Sequence, residues 1–391
     1  MPRDPLTSKL AGFGTSIFAE MSALAVETGA LNLGQGFPDS DGPQEVLDAA
    51  VAAIRDGQNQ YPPGPGTPEL RQAIAEHQRR FYGLDHDPDT EVLVTAGATE
   101  GLAGALLGML DAGDEVIAFE PMFDSYPAAI ALAGARVVPV LLAPPEDGRY
   151  RFDPEELRAA VSDRTRIILL NTPHNPTGKV FDVDELDLIA EVAVDTDLIV
   201  VTDEVYEHLV FPGHAHVPMA TRPGMAERTL TISSGGKTFS TTGWKTGWAC
   251  GPTPTVAATR AAKQFLTFVN GAPFQPAIAV GLGLDDAFYA DLAADLTAKK
   301  DRLVAGLEAA GFGVHAPEGT YFTTVDIRPL QPDGDGLAFC RSLPERCGVV
   351  AVPDVVFYER PEHGRHLVRF ACCKADEVLD EAVERLAGLR P

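Results

Sequence analysis

The sequence places two lysines in one glycine-flanked segment, where an amine can do chemistry. The segment SSGGKTFSTTGWKTGW (233–248) follows an apolar run and contains Lys237 and, eight residues later, Lys245. An amine in a turn after a strand can act as a nucleophile or a base. The GGKT motif is not a nucleotide-binding loop, because that motif needs a glycine at position 231, which is threonine here.

Three further segments place polar or small residues directly after apolar runs. Asp203 in TDEVYEHLVF ends such a run, where a buried carboxylate needs a cationic partner. Asn175 lies in the turn of NTPHNPTGKVF, and TAGATEG (95–101) opens a helix whose free N–H groups can approach an anion. Taken singly, these features are also explained by a helix cap, a turn residue and tight packing. As a set they indicate a shared site.

Strands and helices that would position these residues alternate along the chain. The strand-like runs are 91–96, 114–119, 166–171, 198–204, 229–234 and 247–252. Apolar strands separated by helices predict a doubly wound α/β sheet, with its ligand beyond the carboxyl ends of the strands. After residue 276 a long helical stretch (284–310) and further units predict a smaller α+β domain. The predicted domains are therefore 46–276 and, together, 1–45 with 277–391.

Composition excludes several classes of function. The net charge of −25, from 31 basic and 56 acidic residues, disfavours nucleic-acid binding. No run of 18 apolar residues occurs, so no membrane association is expected. The N-terminus lacks the apolar core of a secretion signal, and five cysteines lack a C-x-x-C pair, which favours the cytoplasm. His214 with His216, and His363 with His366, have no third ligand nearby, so no metal site is predicted.

Together the motifs resemble one family. NLGQGFP, NQYPPGPG, TAGATEG, EPMFDSY, NTPHNPTGKVF, TDEVYEHLVF, SSGGKTFSTTGWKTGW and HLVRF match, in order and spacing, the class I aminotransferases of fold type I, from about Phe18 to Arg369. The chain is similar to the kynurenine/methionine branch, and most similar to actinobacterial N-succinyldiaminopimelate aminotransferases. This resemblance implies a fold type I pyridoxal-phosphate transferase with a large, mainly parallel, doubly wound seven-stranded sheet domain and a smaller α+β domain.

The resemblance assigns catalytic and cofactor-binding roles to the residues singled out above. Lys237 matches the lysine that holds pyridoxal phosphate as a Schiff base and later moves the proton of the substrate Cα. Asp203 matches the carboxylate that pairs with the pyridine nitrogen and keeps it protonated. Tyr206 and Asn175 match the groups that hydrogen-bond the 3′ oxygen, and Phe123 matches the ring that stacks on the pyridine.

The phosphate of the cofactor is expected at the start of one helix. The resemblance assigns it the N–H groups of Ala98 and Thr99, together with Ser234 and Lys245. Lysine at position 245 supplies a point charge where many relatives have arginine, and the kynurenine-type branch shares this lysine. Tyr61 matches a tyrosine that reaches the phosphate from the neighbouring subunit, which implies a homodimer with shared active sites.

Substrate binding is assigned to four residues. Arg369 in HLVRF matches the arginine that forms a bidentate pair with the substrate α-carboxylate. An arginine in an apolar strand would otherwise be costly, which supports this role. Asn175 and the backbone around Gly36 are expected to assist, and Phe18 occupies the position of an aromatic that closes the pocket.

The side-chain specificity is less constrained. Kynurenine-type relatives place an aromatic and a histidine where this chain has Asn270 and Gly271, which predicts a larger pocket for a long acylated substrate. The preferred activity is amino transfer between N-succinyldiaminopimelate and 2-oxoglutarate, in lysine and diaminopimelate biosynthesis. The succinyl carboxylates call for a second cation, for which Lys263 and Arg260 are candidates.

Three alternatives remain open at this point. One is a broad methionine, glutamine or kynurenine aminotransferase, and another is a cysteine-S-conjugate β-lyase that uses the same residues. Partitioning between transfer and elimination depends on fine positioning that the sequence does not reveal. The third is a pyridoxal-phosphate-binding regulator without catalysis, which normally carries a DNA-binding domain that this chain lacks the length to contain.

Overall fold

A computed structural model describes residues 5–14, 16–144 and 148–389. Across these residues the strands are β1 (Leu31–Asn32), β2 (Val92–Ala96), β3 (Glu115–Glu120), β4 (Arg136–Leu141), β5 (Thr165–Asn171), β6 (Ile199–Asp203), β7 (Thr229–Ser234), β8 (Thr246–Cys250), β9 (Gly313–His315), β10 (Phe322–Asp326), β11 (Val349–Val350), β12 (Val352–Pro353) and β13 (Leu367–Ala371).

The helices cover both faces of the large sheet and surround the smaller one. They are α1 (Ile17–Thr28), α2 (Gln44–Arg55), α3 (Pro68–Tyr82), α4 (Gly97–Met109), α5 (Ser125–Ala133), α6 (Pro154–Ala159), α7 (Val183–Asp195), α8 (Gly235–Thr238), α9 (Thr253–Lys263), α10 (Phe274–Leu282), α11 (Asp286–Ala310), α12 (Gly336–Cys347) and α13 (Asp376–Leu386). None of the described helices is both long and apolar enough to cross a lipid bilayer.

The large sheet has seven strands in the order β2-β8-β7-β6-β5-β3-β4. All neighbouring pairs are parallel except those of β8, which runs antiparallel to β2 and to β7. This confirms the predicted doubly wound, mainly parallel architecture. The edge strand β4 (Arg136–Leu141) was absent from the strands read off the sequence. It contains Pro139 and a half-exposed face, so it lacks the continuous apolar run by which buried strands are recognised.

A second sheet, of four antiparallel strands in the order β12-β13-β10-β9, lies in the C-terminal part. Its core includes Val325, Val368 and Phe370, packed against Met21 of α1 and Leu303 of α11. A short parallel pair joins β1 to β11, with Leu31 opposite Val349. The N-terminal segment therefore packs on the C-terminal part of the chain, as an α+β unit.

Helix α10 (Phe274–Leu282) crosses the boundary predicted at residue 276. Its buried residues Ala277 and Ile278 belong to the same apolar cluster as Trp248 of β8 and Leu70 of α3. The residues just after 276 thus pack on the large sheet, and Phe288 in the first turn of α11 (Asp286–Ala310) still packs against the same cluster.

Two glycines allow the first turn of α4 to lie directly against β8. Gly247 is the second residue of β8 and lies opposite both Thr95 and Ser234. A Cβ at position 247 would lie 2.6 Å from the carbonyl carbon of Gly97 and 2.8 Å from the amide nitrogen of Ala98. Gly97 has φ of +74°, which lets the strand turn into the helix without the steric cost that a side chain brings.

We expect Gly247→Ala to lower the free energy of unfolding by about 1–3 kcal/mol, because the added methyl overpacks backbone atoms that cannot move aside. Chemical denaturation measures the change. Gly243→Ala is the matched control, since a Cβ there meets nothing within 4 Å. Equal stabilities of the two variants would contradict the close contact between β8 and α4.

Candidate active site

The carboxyl ends of β2, β5, β6 and β7 surround a cavity of about 310 Å³. Twelve of the thirteen residues predicted for the site line it: Phe18, Gly36, Ala98, Thr99, Phe123, Asn175, Asp203, Tyr206, Ser234, Lys237, Lys245 and Arg369. These residues are spread over 352 positions of the chain, from 18 to 369. Parallel strands collect them because their carboxyl ends meet at one edge of the sheet.

Lys237 lies in α8 (Gly235–Thr238), the single helical turn that follows β7. Its amine donates a hydrogen bond to the carbonyl of Gly36 at 3.3 Å and lies 5.6 Å from the ring centres of both Tyr206 and Tyr321. Burial lowers the pKa of Lys237 to about 8, although the negative charge of Asp203 opposes this. An amine with such a pKa is neutral far more often near neutral pH than that of an ordinary lysine, and a nucleophile or a base must be neutral to act.

Asp203 ends β6 and is buried. Its Oδ2 accepts a hydrogen bond from the Tyr126 hydroxyl at 2.7 Å, and its Oδ1 accepts one from the Val205 amide at 3.4 Å. Burial raises the pKa of Asp203 to about 6, and the bond from Tyr126 is the largest influence that lowers it. No ion pair within 4.0 Å reaches this carboxylate among the described residues, so it can pair with a cationic group in the cavity.

Asn171, at the end of β5, fixes both Asp203 and Asn175. Its side-chain amide donates to the backbone carbonyl of Asp203 at 2.8 Å, and its side-chain oxygen accepts from the amide of Asn175 at 2.7 Å. One buried amide therefore sets the spacing between two predicted cofactor-binding residues. Asn171 and Tyr126 stand in motifs singled out in the sequence but received no role there, and Tyr321 lies outside those motifs.

Tyr206 is buried beside Tyr321, with the two rings edge to face and their centres 5.4 Å apart. Burial raises the pKa of Tyr206, so its hydroxyl keeps its proton and can donate a hydrogen bond. The hydroxyl of Tyr321 donates to the carbonyl of Gly36 at 2.6 Å. This carbonyl also receives the Lys237 bond, so the loop at Gly36 is tied to the site from two sides.

The part of the cavity at the start of α4 is suited to an anion. The first turn of α4 presents its free N–H groups there, at the positive end of a helix of 13 residues. A Cβ on Gly97 would lie 3.0 Å from Nζ of Lys245, so this ammonium lies against the start of the helix. Ser234, the last residue of β7, lines the same end. Lys245 itself has φ of +52°, a left-handed conformation.

The start of α4 is braced by Glu100 and Asn270. One oxygen of Glu100 accepts from the Ala96 amide at 2.6 Å, and the other accepts from the Thr267 amide at 3.2 Å. The side chain of Asn270 donates to the carbonyls of Thr95 and Lys245, both at 3.1 Å. Asn270 therefore joins the strand before the helix to the lysine beside it, rather than lining the cavity.

Arg369 lies in the middle of β13 and is only 1% exposed. Its two terminal nitrogens donate to Oδ1 of Asn175 at 2.7 Å and to the carbonyl of Gly34 at 3.0 Å. Both acceptors are neutral, so the guanidinium keeps its charge for a ligand. It lies 3.9 Å from the ring centre of Phe322 and 5.2 Å from that of Phe18, and these rings hold it flat.

Phe123 follows β3 and is half-buried, with its ring edge to face on Tyr126 at 5.7 Å between centres. It lines the cavity. An aromatic face at this point can stack on a flat ring.

Tyr61 is the one predicted site residue that does not line the cavity of its own chain. Its side chain is 82% exposed and contacts the ring of Phe268, which is 53% exposed. Phe265, close by in sequence, is 84% exposed. Such a cluster of exposed aromatic side chains is unusual on a free surface.

The two cations considered for the succinyl group also lie elsewhere. The ammonium of Lys263 donates to the carbonyls of Gly64 and Phe268 at 3.1 and 2.8 Å, so it serves to hold the chain near Tyr61. Arg260 lines a separate surface groove beside Pro65. Neither of these two candidates lines the cavity of its own chain.

The residues present fit pyridoxal phosphate. The cavity offers an amine with a lowered pKa, a buried carboxylate without a cationic partner, an aromatic face and a helix start with an adjacent ammonium. These match the aldehyde, the pyridine nitrogen, the ring and the phosphate of the cofactor in turn. A side chain at position 97 would fill the space between the start of α4 and Lys245, where the phosphate is expected.

Comparisons with known proteins agree with this geometry. The family model for aminotransferase class I and II matches residues 28–386. The probable N-succinyldiaminopimelate aminotransferase DapC of Mycobacterium tuberculosis (strain ATCC 25618 / H37Rv) is 54% identical over 98% of both chains. The methionine aminotransferase of Escherichia coli (strain K12) is 40% identical over the full length of both.

The solved structure of N-succinyldiaminopimelate aminotransferase from Mycobacterium tuberculosis superposes with a TM-score of 0.96 and 53% identity, over 98% of this chain and 100% of that one. The resemblance noted from the motifs is thus confirmed, as is the predicted fold. The chain belongs to the class I and II aminotransferases and is a pyridoxal-phosphate-dependent aminotransferase of fold type I.

Proposed function

We propose that this aminotransferase moves an amino group between N-succinyldiaminopimelate and 2-oxoglutarate, a reaction of lysine and diaminopimelate biosynthesis. The relative of 54% identity that carries this name supports the assignment. The observation on which the catalytic proposal depends is the Lys237 amine, placed in one cavity with the Asp203 carboxylate and the Arg369 guanidinium. All five cysteines are free thiols, which fits a cytoplasmic enzyme.

Each group in the cavity has a distinct task. When bound, pyridoxal phosphate supplies the electron sink that makes the Cα proton of an amino acid acidic. Asp203 holds a proton at the pyridine nitrogen, and Tyr126 keeps this carboxylate ionised by donating to Oδ2. Lys237 holds the cofactor and, once free, carries a proton at Nζ. Its lowered pKa lets it accept and release that proton near neutral pH.

Arg369 binds and orients the substrate. A guanidinium whose terminal nitrogens are fixed by Asn175 and Gly34 presents its remaining donor capacity in one direction. The α-carboxylate held there places the Cα–H bond of the substrate beside Lys237. Phe18 and Phe322 exclude water around the pair, which strengthens it.

Replacement of Lys237 by alanine is expected to lower kcat by about 10²–10⁴-fold, because the proton-carrying amine is lost. Borohydride reduction of the cofactor-loaded wild type, followed by peptide mapping, should place the label on Lys237. Lys245→Ala is the matched control: it should keep the label on Lys237 while binding the cofactor more weakly. A label on another lysine, or none in the wild type, contradicts the proposed role.

A substrate panel tests the proposed specificity. With 2-oxoglutarate as acceptor, kcat/KM for N-succinyldiaminopimelate should exceed the values for methionine, glutamine and kynurenine by about 100-fold, equivalent to roughly 2.7 kcal/mol of transition-state binding. Pyruvate release from a cysteine S-conjugate measures β-lyase activity in the same preparation. If methionine or glutamine is the better substrate, the enzyme is a broad aminotransferase and the proposed specificity fails.

The homodimer is also a proposal. Tyr61 lies outside its own cavity and next to the exposed rings of Phe265 and Phe268, which supports burial of this surface against a second copy. The Tyr61 hydroxyl would then donate to the phosphate bound by the partner chain. Lys263 keeps this surface in place through its bonds to Gly64 and Phe268.

Hybrid dimers provide a direct test of the shared site. One chain carries Lys237→Ala and the other carries Tyr61→Phe. The first homodimer is expected to be inactive, and the second to bind the cofactor about 10–100-fold more weakly through loss of a charge-assisted hydrogen bond. The hybrid contains one intact site only if Tyr61 acts across the interface. In that case one of its two sites should bind the cofactor with wild-type affinity, and the activity per dimer should be about half that of the wild type. No recovery means that Tyr61 acts within its own chain.

A further inference from the structure

A buried carboxylate that the catalytic proposal does not use lies beside Arg369. Asp354 begins the short 3-10 helix Asp354–Phe357, immediately after β12. Strand β13 carries Arg369 between β12 and β10, with Val352 opposite it on one side and Thr324 opposite it on the other. The hydroxyl of Thr324 donates to Oδ2 of Asp354 at 3.1 Å. The carboxylate and the guanidinium therefore lie on the same face of this sheet.

Asp354 is 0% exposed, and its surroundings leave it poorly compensated. Among the residues that the structure describes, Oδ1 has no hydrogen-bond partner, and neither does Nε of Arg369. No ion pair within 4.0 Å joins the two among the contacts of the described residues. The guanidinium instead uses neutral acceptors, Asn175 and Gly34, so Asp354 acts on it through space and not by occupying its donors.

The groups around Asp354 show which charges change near neutral pH. Burial raises its pKa to about 7, and Arg369 is the largest influence that lowers it. Tyr358, at the end of the same 3-10 helix, and Tyr150 and Cys340, from two other segments, interact electrostatically with Asp354, and burial raises the pKa of each well above its usual value. All three therefore stay neutral, and Asp354 is the member of this group that gains or loses charge around pH 7.

We propose that Asp354 is a positioning residue whose proton controls how strongly Arg369 attracts the carboxylate of the substrate. When Asp354 is protonated, Arg369 carries an uncompensated charge and binds a carboxylate tightly. When Asp354 is ionised, a second carboxylate at Arg369 is opposed by like charge in a buried site. This inference rests on the proposed role of Arg369 in substrate binding.

The direction of the pH effect follows from linkage. A carboxylate bound at Arg369 disfavours the ionised form of Asp354 and so raises its pKa further in the complex. Between the two pKa values, binding takes up a proton, and affinity falls as pH rises. Below about pH 7 Asp354 is already protonated, so affinity there is highest and little dependent on its titration.

The experiment uses the cofactor-loaded enzyme and 2-oxoglutarate. With the cofactor in its aldehyde form, the enzyme binds this 2-oxo acid but has no amino group to transfer to it. Calorimetry in buffers of different ionisation enthalpy gives both the dissociation constant and the number of protons taken up. For the wild type we expect proton uptake at pH 7.5 and an affinity that falls by about sixfold from pH 6.5 to 8.5, most of the roughly tenfold limit set by one unit of pKa change.

Asp354→Asn should remove the part of the proton uptake that Asp354 supplies and flatten the pH dependence. Thr324→Val keeps Asp354 but removes a hydrogen bond that stabilises its ionised form. The pKa of Asp354 should therefore rise, and the fall in affinity should move to higher pH. Asp124→Asn is the matched control, since Asp124 is a second carboxylate near Arg369 but follows a different strand. It should leave the proton uptake at the wild-type value.

Two outcomes overturn the inference. One is an unchanged proton uptake in Asp354→Asn, and the other is its loss in Asp124→Asn instead. If the role of Asp354 were only structural, Asp354→Asn would lower the stability of the enzyme without changing the number of protons taken up on binding. Arg369→Gln separates this inference from the proposed function: if it leaves the affinity for 2-oxoglutarate unchanged, the role of Arg369 itself is wrong, whatever the Asp354 variants show.

Discussion

The structure depends on the placement of a carboxylate where water cannot reach it. Asp203 ends the central strand β6, and its burial raises its pKa to about 6. The fold tolerates this cost because Tyr126 and the Val205 amide donate to the carboxylate, while Asn171 fixes its backbone. In the role we propose for Asp203, a protonated ring nitrogen completes the pairing, and the cofactor binds where the protein alone is electrostatically incomplete.

Burial also determines how the other charged groups of the cavity act. Lys245 adds its positive charge to the start of α4, and Arg369 and Asp203 line the same cavity from other strands. Burial makes these charges act at long range, and it also lowers the pKa of Lys237. A substrate with an amine and a carboxylate therefore meets an ordered pattern of charges, and the chemistry follows from that pattern rather than from any single residue.

Much of this arrangement was accessible from the sequence, and the reasons are specific. Strands β3, β5, β6 and β7 are buried on both faces and read as continuous apolar runs, so their ends were predicted within about two residues. Motifs at those ends then identified Lys237, Asp203 and Asn175. Tyr126 and Asn171 were missed because a buried tyrosine and a strand-end asparagine have ordinary structural explanations, and only the distances distinguish them.

Asp354 and Lys263 illustrate what a motif cannot convey. Asp354 follows a short strand in an otherwise apolar segment, and only the three-strand register places it beside Arg369. Lys263 is cationic and close in sequence to Asn270 and Gly271, which were predicted to widen the pocket. Its ammonium instead donates hydrogen bonds to two backbone carbonyls. In both cases the deciding fact is the direction of a side chain relative to a distant strand, which pattern and composition do not encode.

The pairing of β1 with β11 has a consequence for biosynthesis of the molecule. Phe18, Gly34 and Gly36 all belong to the first 36 residues, yet the strand that holds this segment, β11, begins at Val349. During translation the large sheet can be completed long before that strand emerges from the ribosome. Over the 112 residues made between Lys237 and Val349, the nascent chain therefore carries the lysine and the acid of its site without the N-terminal segment packed over them. Enzymatic competence arrives only with the final tenth of the polypeptide.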